Sequence, residues 1–175
     1  SEIDAIMDPQ ISKWPYKKVP LTQPGNTPQA QPVISALLEQ LVKSIALNPF
    51  DNLIRHKQRV GIKSSATIDQ AVHNLETNFG IIKKHSTVEG IIFELLSPGI
   101  NYATKELKLS LPVLAGKGGF KSQFYSFIVK NYFEKQNANA IIEGSVGGIG
   151  LERKQVDVLA IMPDNKRIAV EITLS

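Results

Sequence analysis

Val156-Asp157-Val158-Leu159-Ala160-Ile161, then Met162-Pro163-Asp164-Asn165-Lys166, then Arg167-Ile168-Ala169-Val170-Glu171-Ile172-Thr173-Leu174: this stretch decides how the chain is read. The outer segments are rich in β-branched residues and the middle one carries turn residues, so together they read as a β-hairpin. With the five middle residues as the loop, Ile161 faces Arg167. Counting back along the antiparallel ladder sets Asp157 opposite Glu171, with Cβ atoms about 5 Å apart. Like charges at that distance destabilise a sheet unless a cation or proton lies between them. A divalent, oxygen-preferring metal is the natural candidate. The alternative is that both carboxylates are simply hydrated on the solvent face of the hairpin. Apolar neighbours on both faces favour central, buried strands, where an unpaired carboxylate is expensive.

Upstream, Lys117 to Gln123 opens an amphipathic helix that runs to about Gln136. Ala140-Ile141-Ile142-Glu143 reads as a strand, and the Gly-rich run from Gly144 to Gly150 as a turn. An acidic residue in one strand, a short turn, and Glu171-Ile172-Thr173 in the next resembles the PD-(D/E)XK nuclease superfamily, whose core runs α-β-β-β-α-β. The order is also similar to nuclease-like modules appended to winged helices in ATPases and other proteins of plasmids and mobile elements. The resemblance spans about residues 117–175.

The resemblance implies that Asp157 and Glu171 are ligands of Mg²⁺ or Mn²⁺, with the Ile172 carbonyl as a third donor. Glu143 matches the glutamate that some members place in the preceding strand, and Glu134 lies in the helix where others carry an acidic residue. The departure is Thr173, where the family usually has lysine. That ammonium is thought to orient the attacking water and stabilise charge developing on the phosphate, a role a hydroxyl fills only in part. Lys154 and Lys130 are the lysines placed to substitute, although a solvated surface position is the plainer reading of each.

Nearer the start, residues 1–32 hold Pro9, Pro15, Pro20, Pro24, Pro28 and Pro32 among Gln, Asn and Thr, as expected of a linker or strap. Trp14 and Tyr16 are its large aromatics and suit a docking anchor. From Val33 the apolar spacing turns helical through Ile34, Leu37, Leu38, Leu41, Val42 and Ile45, and Asn48-Pro49 stops it. A second helix fits Asp51 to Arg59, ended by Gly61. A third begins near Thr67, whose spacing to Gln70 fits a capping box, and buries Ile68, Ala71, Val72, Leu75 and Phe79. Ile81 to Lys84 and Ile91 to Leu95 read as two strands around a Ser86 to Gly90 turn.

Three helices and a hairpin resemble the winged helix-turn-helix family, especially in Leu75-x-x-x-Phe79-Gly80-Ile81-Ile82. In such domains the third helix enters the major groove and the wing follows the backbone. The resemblance implies that Ser65, Asp69, Gln70, His73, Asn74 and Thr77 face DNA, with Arg55, Lys57, Arg59, Lys63, Lys83 and Lys84 near phosphates. The family also uses this fold for protein contacts, and Asp69 on the reading face repels phosphate.

Composition sets the outer bounds. The chain has 175 residues, 42% hydrophobic and 21% charged, enough for one or two domains with real cores. A formal net charge of +4 suits an anionic partner, and residues 51–85 carry a basic surplus of three. The apolar runs are too short to span a bilayer and no secretory leader opens the sequence, so no membrane partner and a cytoplasmic location are expected. With no cysteine, disulfides, thiol catalysis and structural zinc fingers are excluded. His56, His73 and His85 lack zinc-ligand spacing and read as surface or groove-facing residues. Leu111 to Ser122 imitates a P-loop, but a Lys-Ser at 121–122 requires Gly at 115 and 120, where the chain has Ala115 and Phe120. The plainer reading of that segment is a hinge.

The fold expected is α+β: a Pro-rich arm (1–32), a winged helix domain (33–100), a hinge (101–119), and an incomplete restriction-endonuclease-like core (120–175) made of a helix and a three-stranded mixed sheet. Because the chain opens in a Pro-rich segment and stops just after a strand, it is expected to be a piece of a longer protein and to self-associate through an uncovered edge. Two functional readings remain. One is a DNA-binding, Mg²⁺- or Mn²⁺-dependent nuclease module of a mobile-element or other DNA-processing protein. The other is a non-catalytic DNA-binding or assembly module that keeps the nuclease fold.

Overall fold

The computed structural model describes residues 35–148, 150 and 152–175. The Pro-rich arm, with Trp14, Tyr16 and the first two apolar positions Val33 and Ile34, lies outside them. The chain divides after Pro112 into two compact units, and the class is α+β.

The first unit opens with α1 (Ala36–Leu47), where the Ser35 hydroxyl accepts from the Leu38 N–H and caps the orphan amides of the first turn. Asn52 caps α2 (Leu53–Val60) in the same way, and Gly61 ends it in a left-handed conformation (φ 77°) that glycine adopts without strain. The third helix, α3 (Ser65–His73), starts three residues earlier than its capping-box spacing suggests. Ser64 is the cap, its hydroxyl accepting from the Thr67 N–H, so Thr67 lies inside the first turn. A wider π turn, Asn74–Asn78, carries Leu75 and Phe79 into the core.

Two antiparallel strands follow, β1 (Ile82–Thr87) and β2 (Gly90–Leu95), joined at Val88-Glu89. Asn52 forms a bridge to Ile92 and donates its side-chain amide to the Glu89 carbonyl, tying the start of α2 to the hairpin. Leu41, Val42, Ile45, Ile68, Leu75, Ile81, Ile82 and Phe93 make the core. The segment after residue 100 is not a hinge at its start. Helix α4 (Ser97–Asn101) continues through a π turn, Tyr102–Glu106, and Tyr102 and Ala103 are buried, Tyr102 within the same core. This helical segment beyond the hairpin packs on the same core, and the unit extends to Pro112.

In the second unit, α5 (Phe120–Glu134) packs on a three-stranded sheet of order β3-β6-β7, with β3 Asn139–Ile142, β6 Val158–Ile161 and β7 Arg167–Val170. All pairs are antiparallel, which corrects the expected mixed sheet. The Gly-rich stretch is also more than a turn, since β4 (Ser145–Val146) and β5 (Lys154–Gln155) pair as a second small ladder. That excursion returns the chain beside β3 running the opposite way. Ala140, Ile142, Val158, Ala160, Ile168, Val170 and Ile172 gather on the side of Val129 and Phe133 of α5.

Among the strands of this three-stranded sheet, β6 is the one buried on both faces, with Val158, Leu159 and Ala160 at 5% exposure or less. β7 is an edge strand with Arg167 and Ala169 exposed, contrary to the buried strand expected from its apolar content. Alternating Ile and Val on β7 cover α5 from one side only. No helix among the described residues is long and apolar enough to cross a membrane.

Candidate metal and nucleic-acid sites

The β6–β7 hairpin has the register counted from the sequence, Ile161 opposite Arg167 and Val158 opposite Val170. Its loop closes by hydrogen bonds from the Asn165 N–H to the Met162 carbonyl and from the Met162 N–H to the Lys166 carbonyl, with Asn165 left-handed at φ 66°. Asn tolerates that conformation because its short polar side chain bonds locally. One step past the last ladder pair stand Asp157 and Glu171. Strand alternation turns them away from the α5 face, which their neighbours Val158, Val170 and Ile172 occupy.

Asp157 Oδ2 accepts from the Ile172 N–H at 2.6 Å, a charge-assisted bond that ties the carboxylate to the segment following β7. Glu171 is exposed, and its Oε1 lies 3.1 Å from Lys154 Nζ. Thr173 is exposed as well. Glu143 continues the same row on the other side of β6: its N–H donates to the Asp157 carbonyl at 2.9 Å. Its backbone is left-handed (φ 59°), a conformation that costs a non-glycine residue of order 1–2 kcal/mol. Glu143 Oε1 is buried and has no hydrogen-bond partner among the described residues.

Gly144 next to it is dictated by packing, since a Cβ there would sit 2.3 Å from Leu159 Cβ. The chain crosses directly over Leu159 at that point and closes with the Val156 N–H to the Gly144 carbonyl. Gln155 Nε2 donates to the Glu143 carbonyl, and Lys117 Nζ reaches Gln155 Oε1.

Not all of the expected acidic and basic residues meet here. Glu134 and Lys130 pair with each other, and Lys130 also donates to the Ala140 carbonyl. Glu134 is in the last turn of α5, near the start of β3, whereas Glu143 follows the end of β3, about 13 Å away along the strand. Neither residue serves the carboxylate row. Among the described residues, no three His, Cys, Asp or Glu side chains gather closely enough to hold a metal ion between them. Of the residues expected to hold a metal, Asp157 and Glu171 stand one step past the last pair of the β6–β7 ladder, Asp157 bonded to the Ile172 N–H and Glu171 paired with Lys154.

In the first unit, Ser65, Asp69, Gln70, His73 and Thr77 are exposed along α3 and its π turn. Asn74 is half-buried, its Oδ1 accepting from Asn78 Nδ2 at 2.6 Å. The basic residues split into two groups. Asp51 binds both Arg55 and Arg59, Lys84 lies 3.0 Å from Glu76, and Lys57 donates to Ser65 Oγ at 3.1 Å. Lys63 and Lys83 are exposed and form no ion pair among the described residues. Arg59 is exposed, and its guanidinium is tied to Asp51 and, through NH1, donates to Ser44 Oγ at 3.0 Å between α1 and α2. Its acidic partner Asp51 is pulled upward by partial burial, but the hydrogen bonds and charges of Arg59 and Arg55 outweigh this and hold its carboxyl below the usual value.

His56 corrects the expectation of a surface or groove-facing histidine. It is fully buried, with Nδ1 2.8 Å from Ser44 Oγ and its ring tilted against Phe93. The signal was present in α2, where His56 falls at helical spacing between Leu53 and Val60 on the inward face. Comparison with known protein families, curated proteins and solved structures finds no match to this chain.

Proposed function

We propose that this chain is a DNA-binding module carrying a metal-dependent, nuclease-like centre at Asp157 and Glu171. The observation that carries the reading is the Asp157 carboxylate pinned by the Ile172 N–H in the register that sets Glu171 opposite it. Three features support it. The order α5-β3-β6-β7 as an antiparallel meander follows the α-β-β-β start of the nuclease core. Glu143 keeps a strained backbone and an unsatisfied buried oxygen in the adjoining row, and such strain concentrates at functional sites. In the first unit, three helices precede a hairpin tied to α2 by the Asn52–Ile92 bridge, an arrangement that suits a winged helix.

Asp157, Glu171 and the Ile172 carbonyl would hold Mg²⁺ or Mn²⁺, which when bound supplies the charge that polarises a phosphate oxygen and acidifies a water. Asp157 can do this while keeping its bond to Ile172, since a carboxylate offers acceptor sites on both oxygens. The Ile172 N–H fixes the rotamer, so the acidic row is set before substrate arrives.

Metal-dependent cleavage of DNA tests the reading. Wild-type protein is expected to nick DNA with Mg²⁺ or Mn²⁺, and Asp157→Ala to reduce cleavage to background while the fold persists. Absence of cleavage together with metal-independent DNA binding would favour the non-catalytic module, which Thr173 in place of lysine supports.

DNA affinity should be weak and salt-dependent, because few free cations face solvent. Lys83→Glu is expected to lower the slope of log affinity against log salt by about one. Lys84→Glu should change it less, since Glu76 already neutralises Lys84. Equal slopes for wild type and Lys83→Glu would remove the hairpin from the DNA interface.

A further inference from the structure

Between α1 and α2 lies a cleft of about 240 Å³, lined from α1 by Gln40, Lys43, Ser44 and Leu47 and from α2 by Arg59 and Val60. No carboxylate is among the side chains that line it. Ser44 is only 5% exposed; its hydroxyl accepts from Arg59 NH1 at 3.0 Å and meets His56 Nδ1 at 2.8 Å, so a buried group orients the guanidinium. A guanidinium has five N–H donors. Ser44 and His56 engage NH1 and Asp51 engages NH2, which leaves two of the five unclaimed among the described residues.

The charges around the cleft do not balance. Glu39 pairs with Lys43, and Asp51 pairs with both Arg55 and Arg59, so three cations meet two carboxylates. Burial lowers the His56 imidazole to about 4, which keeps it neutral at pH 7. One positive charge is left over. A singly charged ligand cancels it, whereas a phosphate monoester brings about 1.5 to 2 negative charges. Leu47, 46% exposed, and the half-buried Val60 add apolar walls that gain from covering an alkyl chain.

We propose that this cleft binds a small aliphatic monocarboxylate, with its carboxylate on Arg59 and Lys43 and its chain against Leu47 and Val60. A cavity of about 150 Å³ holds a benzene ring. The space here is larger and accommodates a six-carbon acid. Lys43 is available to it, because an ion pair with Glu39 on side chains 43% and 39% exposed is weak and gives way at little cost. The site lies wholly in the first unit and does not depend on the reading of Asp157 and Glu171.

The experiment follows backbone amide shifts of the full chain at pH 7 during titration with hexanoate, hexanamide, acetate, dimethyl phosphate and a short peptide ending in leucine. Wild type is compared with Lys43→Met, Arg59→Gln and Lys135→Met. Lys135, exposed at the end of α5 in the second unit, controls for the loss of one positive charge. Hexanoate should shift the amides of Ser44, Leu47, Arg59 and Val60 saturably, with a Kd of about 1 mM. Hexanamide lacks the charge and acetate lacks the chain, so each should bind at least about fivefold more weakly. Lys43→Met should weaken hexanoate about two- to fivefold and Arg59→Gln about tenfold, with Lys135→Met unchanged.

Hexanamide binding as tightly as hexanoate overturns the anion recognition, and acetate doing so overturns the role of the apolar walls. Equal binding of dimethyl phosphate overturns the carboxylate assignment and makes the cleft a contact for nucleic-acid backbone. A leucine-ended peptide that binds much more tightly than hexanoate overturns the free acid as occupant in favour of a protein C-terminus. Undiminished binding by Lys43→Met overturns the site by itself, so the test stands even where Arg59→Gln, which also unties Asp51 and Ser44, fails to fold. Shifts that do not saturate at tens of millimolar hexanoate overturn it as well.

Discussion

Phe93→Ala is expected to destabilise the first unit by about 3–5 kcal/mol, the range for deleting a fully buried phenyl ring. Phe93 is 0% exposed on β2, within the core formed with α1, α3 and the strand that precedes the hairpin turn. Its ring also stands 5.8 Å from that of His56, so truncation opens a cavity against a buried polar group whose Nε2 has no partner among the described residues. Water drawn into that space softens the loss only slightly, because the remaining walls are apolar. Against a typical domain stability of about 5–15 kcal/mol, the change is enough to bring local unfolding into reach of hydrogen exchange. Denaturant unfolding gives the magnitude, and exchange at the β1 and β2 amides gives the location. Val88→Ala, at the hairpin tip and 80% exposed, is the control and should shift stability by less than about 0.5 kcal/mol.

Acid should weaken the same unit through His56. Burial depresses the imidazole to about 4 from 6.5; the Asp51 charge opposes that shift and the Arg59 charge adds to it. Between those two values the unfolded chain binds a proton that the folded chain refuses, so stability rises with pH in this window. The contribution is fully present above about pH 6.5 and lost as pH falls through about 4, a total of about 3 kcal/mol. Below that, the lowered carboxyl of Asp51 adds further loss as its ties to Arg59 and Arg55 are protonated away. Urea unfolding at pH 7, 5.5 and 4 measures the slope. His56→Leu should flatten it above pH 4, and an unchanged slope in that variant would assign the acid sensitivity to other groups.

Much of the local architecture is legible in residue order. Leu38, Leu41, Val42 and Ile45 repeat with helical spacing, and the structure buries all of them on α1. The pairing of β6 with β7 follows from the five-residue loop, because Asn165 closes the turn and a fixed loop sets the register of everything before it. Boundaries were less legible. Thr67 and Ser64 are both good caps with a polar residue three positions on, and packing of Ile68 chose the earlier one. The run after residue 100 has no long apolar period, so its helical turn and the burial of Tyr102 come only from the surface the first three helices leave open.

At the candidate site, sequence order alone determined which residues stand in one row: once the hairpin register is set, Asp157 and Glu171 are neighbours whatever surrounds them. What surrounds them was decided by the tertiary structure. Whether a carboxylate is buried depends on which strands flank its own, and three-stranded packing makes β6 central and β7 an edge. Lys154 near Glu171, Gly144 over Leu159 and His56 behind Ser44 join residues 12 to 17 positions apart in sequence. Such contacts have no local period to betray them, because they arise only after the chain has been folded back on itself and each side chain has found the space the others leave.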